Sequence, residues 1–78
     1  MKNIAIPDVA MGDAEVDIMK WYVKEGDEVK KGDRLVEIES EKASLDIEAD
    51  FDGVITKIMA KEGEVTSIGQ VIAEMEEK

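Results

Sequence analysis

Lys42 is the residue around which chemistry can be built. It stands in Glu39-Ser40-Glu41-Lys42-Ala43-Ser44, between two stretches with strand patterning. Residues 35–39 are apolar-rich, and residues 45–49 alternate apolar and acidic, the period-2 signal of a half-buried strand. The pair predicts a hairpin with a primary amine at its tip, within reach of a modifying enzyme. A solvated surface lysine would look the same from the hairpin alone, so the surroundings must decide. The other nucleophile candidates are Ser40, Ser44, Thr56, Thr66 and Ser67, and no histidine is present to serve any of them as a base. With no Cys and no His, the commonest metal-ligand sets are excluded. No glycine-rich phosphate loop occurs, and the 50–52 turn falls short of a calcium loop. Among 20 carboxylates, close pairs arise by accident, so none marks an acid–base site. Intrinsic catalysis is not expected. A carrier or a binding module is.

A 78-residue chain reads as one small domain over 1–78. The net charge of −10 argues against nucleic acid, whose phosphates need clustered Lys and Arg, and favours solubility or steering toward basic surfaces. No apolar run of 18 residues is present, and the N-terminus lacks a signal-peptide core. The compartment expected is the cytoplasm of a bacterium or archaeon, or the mitochondrial matrix in a eukaryote.

The elements that must position Lys42 follow from apolar spacing and turns. Strands are predicted over 2–6, 16–24, 35–39, 45–49, 54–61 and 70–76, the last with a pattern that also fits a helix. Val29 reads as isolated, and 65–69 as a connector. Apolar parity changes between Ile18 and Trp21, and again between Ile55 and Ile58, which predicts a bulge in each strand. The chain also repeats at an offset of 37: Gly26 matches Gly63, Gly32 matches Gly69, Lys24-Glu25 match Lys61-Glu62, Ile18 matches Ile55 and Leu35 matches Ile72. In this register Val29 falls on Thr66, and Val65 is the expected stand-in. Two copies of one strand unit, neither able to bury its apolar face alone, predict a pseudo-twofold sandwich or flattened barrel. Aligning Ile6 with Ile47 leaves about four extra residues in the first half, within Val9, Ala10, Met11, Gly12 and Asp13. A loop inserted on a tight scaffold is a candidate recognition element.

The residues around Lys42 now carry a resemblance. Glu39-Ser40-Glu41-Lys42-Ala43 is similar to the lipoyl-attachment motif Glu-Thr-Asp-Lys-Ala of 2-oxo acid dehydrogenase complexes. Val23 to Val29 with Gly32-Asp33 and Leu35 resembles the segment before that motif. Gly26 lies 16 before Lys42 and Gly53 lies 11 after it, which is the family spacing. The likeness runs from Ile6 to Met75 and is greatest to the dihydrolipoamide acyltransferase subunit, as in pyruvate dehydrogenase.

The resemblance implies an all-β barrel-sandwich hybrid of two four-stranded antiparallel sheets, with lipoate joined to Lys42 by an amide. Glu41 and Ala43 would be read as parts of the lysine turn, and Gly26 and Gly53 would shape family-spaced turns. The lipoyl group would act as a swinging arm. It would accept an acyl group from a thiamine-diphosphate-dependent decarboxylase, pass it to the acyltransferase core and be reoxidised by dihydrolipoyl dehydrogenase. A lipoate-attaching enzyme is a further implied partner, the 9–13 loop would contact the decarboxylase, and the isolated domain would be a monomer. Two departures stand out. Glu41 replaces the usual Asp and Ser40 the frequent Thr.

Two alternatives share the fold. A biotinyl domain usually has Met on both sides of its lysine, whereas Lys42 has Glu41 and Ala43. An unmodified adaptor module has no need of a lysine in this motif. An acyl carrier protein, a helical bundle, is at odds with glycines at 26, 32, 53, 63 and 69.

Overall fold

The structure is a computed structural model that describes residues 2–7, 15–41 and 43–78. Short alternating runs between glycine turns become eight strands: β1 Lys2–Ala5, β2 Glu15–Trp21, β3 Glu28–Val29, β4 Arg34–Glu39, β5 Ser44–Glu48, β6 Gly53–Ile58, β7 Val65–Ser67 and β8 Val71–Glu77. They form two four-stranded antiparallel sheets, ordered β1-β8-β6-β3 and β5-β4-β2-β7. This is the all-β architecture expected. The 71–77 stretch is a strand and not a helix. Its inward residues include Ile72 and Met75, which fit the period of an extended chain once a bulge is allowed.

The 37-residue repeat is built into the pairing. Gly26 N–H donates to Ile55 O at 2.6 Å and Ile55 N–H to Asp27 O at 2.9 Å; the twins are Gly63 to Ile18 at 2.7 Å and Ile18 to Glu64 at 2.9 Å. Register shifts fall at Ile18/Lys20 in β2 and at Ile55/Lys57 in β6, where the parity changes predict them. A second pair of shifts leaves Leu35 and Ile72 as the extra residues of β4 and β8. A bulge lets neighbouring side chains face the same way, and Leu35-Val36 and Ile72-Ala73 are accordingly all fully buried. The halves interleave: each sheet takes two strands from either half, so they do not stack as separate sheets.

Three expectations are corrected. Val29 and residues 65–67 of the expected connector are strand: β3 and β7 are short edge strands at equivalent places. Thr66, at 1% exposure, fills the inward position of Val29, and Val65 is 60% exposed. The threonine is tolerated inside because its hydroxyl donates to Val16 O at 3.1 Å. The insertion is also larger. Ile4 pairs with Ala73 as Ile47 pairs with Val36, so Ile4 is the twin of Ile47 and Ile6 that of Ala49. Ile6 precedes Ile18 by 12 positions and Ala49 precedes Ile55 by 6, so the first half carries six extra residues and not four.

One apolar core runs between the sheets, with Ile18, Leu35, Ile38, Ile55, Ile72 and Met75 at its centre. Burying each such side chain contributes roughly 1.5–3 kcal/mol. Phe51 and Trp21 pack half-buried at its margin, and the Trp21 indole N–H donates to Ala60 O at 2.7 Å. Trp21 is thus a core-edge residue, as its match to Ile58 predicts.

Candidate functional site

The site is built on the β4–β5 hairpin. Ile38 pairs with Leu45 and Glu39 with Ser44, and Ile38 anchors one arm in the core while Leu45 packs half-buried from the other. Beyond Glu39 and Ser44 the chain reverses between Ser40 and Ala43. Ser40 N–H donates to Ala43 O at 2.7 Å. The Ser40 hydroxyl adds two contacts of 3.2 Å, donating to Ala43 O and accepting from Ala43 N–H. Only two positions separate these residues, so the reversal is tight. Glu41, Ala43 and Ser44 are exposed. Lys42 itself, and Val9, Ala10, Met11, Gly12 and Asp13, lie outside the described residues.

Gly26 and Gly53 belong to the scaffold. Gly26 has φ +92°, a backbone that glycine adopts without strain, in a turn where Asp27 accepts from Lys24 N–H at 2.9 Å. Gly53 opens β6 opposite Val29 and Glu77, and any Cβ there would run into the Glu76 carbonyl. Gly26 shapes a turn as expected, whereas Gly53 is a strand residue and not a turn residue, needed because β8 passes too close for a side chain. Neither has a hydrogen bond to the 40–43 turn among the described residues.

Other positions of consequence were not singled out by motif. On the outer face of the lysine-bearing sheet, Asp46 of β5 accepts from the Tyr22 hydroxyl at 3.3 Å and pairs with Arg34 Nε at 3.6 Å. The Tyr22 phenol is held above its ordinary pKa by partial desolvation, then by the Asp46 and Glu37 carboxylates, with Arg34 opposing. Lys20 Nζ lies 5.5 Å from the Tyr22 ring centre. Elsewhere Glu25 accepts from Ile58 N–H at 2.8 Å and Glu62 from Trp21 N–H at 2.9 Å, a reciprocal pair across the pseudo-twofold. The offset of 37 holds the signal for that pair, since it relates Glu25 to Glu62 and Trp21 to Ile58. No group of three or more potential metal ligands occurs among the described residues.

The biotin/lipoyl family model, described as "Biotin-requiring enzyme", matches residues 2–75. The chain belongs to this biotin/lipoyl-attachment family. Within the family its likeness is to lipoyl domains. It is 42% identical, over 96% of its length, to the dihydrolipoyllysine-residue succinyltransferase component of a 2-oxoglutarate dehydrogenase complex from Rickettsia felis. It is 34% identical, over 91% of its length, to the lipoamide acyltransferase component of the mitochondrial branched-chain alpha-keto acid dehydrogenase complex of Caenorhabditis elegans. The same values relate it to the dihydrolipoyllysine-residue acetyltransferase component of a pyruvate dehydrogenase complex from Staphylococcus aureus. The chain covers only 19% of the first of these proteins and 16% of the other two. The solution structure of the lipoyl domain of the 2-oxoglutarate dehydrogenase complex from Azotobacter vinelandii superposes with a TM-score of 0.82 at 28% identity, covering 99% of this chain and 98% of that one. The chain is therefore a lipoyl-type carrier module, without catalysis of its own.

Proposed function

We propose that Lys42 is the attachment point for lipoate, and that the domain serves as the acyl carrier of a 2-oxo acid dehydrogenase complex, within an acyltransferase subunit. The observation that carries this reading is the closed reversal between Ser40 and Ala43, with exposed Glu41 and Ala43 either side of position 42. A two-residue turn on two core-anchored arms suits an amine that must enter an enzyme's active site while its scaffold stays rigid. Attachment forms an amide between the lipoate carboxyl and Lys42 Nζ and removes one positive charge. Bound lipoate supplies a dithiolane able to accept and release acyl groups.

The chain's own residues do the presenting. Ser40 closes the turn, Ile38 and Leu45 fix its arms, and Glu41 and Ala43 are what an attaching enzyme meets beside the lysine. Tethering then raises the concentration of the arm at each partner: a thiamine-diphosphate-dependent decarboxylase, the acyltransferase core and dihydrolipoyl dehydrogenase. The 9–13 loop is a candidate contact for the first of these. The relatives span 2-oxoglutarate, branched-chain and pyruvate complexes, so the oxo acid is left general.

Intact mass after incubation with a lipoate–protein ligase, lipoate and ATP tests the reading. Wild type should gain one lipoyl increment and Lys42→Arg none. An increment retained in Lys42→Arg would place the site elsewhere. A wild type that stays unmodified while Glu41→Asp is modified would trace the failure to the extra methylene of Glu41. If both stay unmodified, the carrier reading fails.

A further inference from the structure

The internal twofold supplies a comparison within one chain. Twin positions share strand pairing and a place in equivalent sheets, so differences between them are not demanded by the fold. The outer face of the β5-β4-β2-β7 sheet carries Asp17, Asp46 and Glu48, where the other sheet has Val54, Asn3 and Ala5. Arg34 and Tyr22 stand where the twin has Val71 and Met59. Three of the four exposed large hydrophobic residues among those described also belong to this sheet or its margin: Met19 at 44%, Tyr22 at 40% and Val65 at 60%. Tyr22 is not loose on the surface, since Asp46 holds its hydroxyl and Lys20 lies over its ring.

An exposed aromatic held in place by charged neighbours, on a sheet that also exposes Met19 and Val65, has the makings of a protein-docking surface. The rim says what covers it. Glu15, Asp17, Glu37, Glu39, Asp46 and Glu48 outnumber Lys20 and Arg34 on the strands of this sheet. A second copy, at −10, is repelled, and a surface of lysine and arginine is attracted. Both arms of the 40–43 turn, β4 and β5, lie in this same sheet. A protein acting at the residue between Glu41 and Ala43 therefore has this face beside it.

We propose that the outer face of the β5-β4-β2-β7 sheet is the docking surface for the enzyme that attaches lipoate, which meets it with a basic surface and an apolar recess for Tyr22 and Met19. This inference rests on Lys42 being the lipoylated residue.

Two triple variants of equal net charge test it. Asp17→Asn, Asp46→Asn and Glu48→Gln neutralise the proposed face, and Glu28→Gln, Glu76→Gln and Glu77→Gln neutralise the other sheet. Each set takes the chain from −10 to −7. Lipoylation rates are measured with a lipoate–protein ligase, lipoate and ATP, at low and high ionic strength, after a fold check by circular dichroism and Trp21 fluorescence. The first set should raise KM about tenfold with kcat unchanged and flatten the salt dependence, and the second should change KM less than about twofold. Tyr22→Met, which installs the twin's residue, should raise KM at both salt concentrations. If the first set fails to fold, Asp46→Asn with Glu48→Gln gives the same reading. Equal effects of the two sets, or none from the first, overturn the inference while leaving the carrier reading intact. A wild type that is never lipoylated removes both.

Discussion

At the residue scale, a few side chains hold the scaffold to tolerances that the amino-acid pattern only partly reveals. Glu25 and Glu62 tie each half to a backbone N–H of the other. Each bond is solvent-exposed, so water partly replaces it when lost, and Glu62→Ala is expected to cost about 1 kcal/mol in urea unfolding. Gly53→Ala should cost more, about 3 kcal/mol, because the added methyl meets the Glu76 carbonyl and Met75 Cε lies at 3.3 Å. Tyr22 makes a pH prediction. Its phenol titrates above its ordinary range, so the folded state holds that proton more tightly than the unfolded one. Its contribution is complete below about pH 10 and is lost as pH rises through the folded pKa. Tyr22→Phe should therefore lose less stability than wild type between pH 9 and 11, as read in paired urea titrations over about that range. The chain has one tyrosine, so absorbance titration reports it directly, and Asp46→Asn should move the midpoint down.

At the element scale, the bulges of β2 and β6 and the lysine hairpin were legible, and the bulges at Leu35 and Ile72 and the edge strands were not. Parity changes are visible because Ile18 and Trp21, like Ile55 and Ile58, are large apolar residues on opposite parities. β3 and β7 are two and three residues long, too short for a period to register. Thr66 misleads for a further reason: a threonine counts as polar in any pattern, yet here it is buried with its hydroxyl satisfied by Val16 O. The correction can be checked. Val65→Thr, at a 60% exposed position, should change stability by less than about 0.5 kcal/mol. Thr66→Val should cost about 1 kcal/mol through the lost hydrogen bond, while the fold persists because β3 carries valine at the same place. The hairpin needed no such rescue, since its second arm keeps strict alternation over Leu45, Asp46, Ile47 and Glu48 and the end of its first arm alternates over Val36, Glu37, Ile38 and Glu39.

At the scale of the whole molecule, the offset of 37 held nearly the entire architecture, and the interleaving of strands between sheets did not follow from it. Repeat spacing says that two units are alike and nothing about which strand pairs with which. The size of the insertion is masked in the sequence because Ala49, small and followed by Asp50, does not resemble its twin Ile6. The same symmetry bears on the chain's connectivity. Glu39 and Ser44, which flank the lysine turn, correspond to Glu76 and to position 1, so the place related to that turn is the gap between the end of β8 and the start of β1. Asp52 ties Lys78 and Lys31 together, which puts that gap beside the start of β4, a strand length or roughly 20 Å from its turn end. Four residues bridge 39 to 44, and Glu77 and Lys78 already supply two of the equivalent four. A circular permutant opened between Glu41 and Lys42, with a two-residue link from Lys78 to Met1, should thus fold into the same pair of sheets. With Lys as the first linking residue, it would offer its amine at the opposite pole, an acceptor turned end for end on an unchanged body.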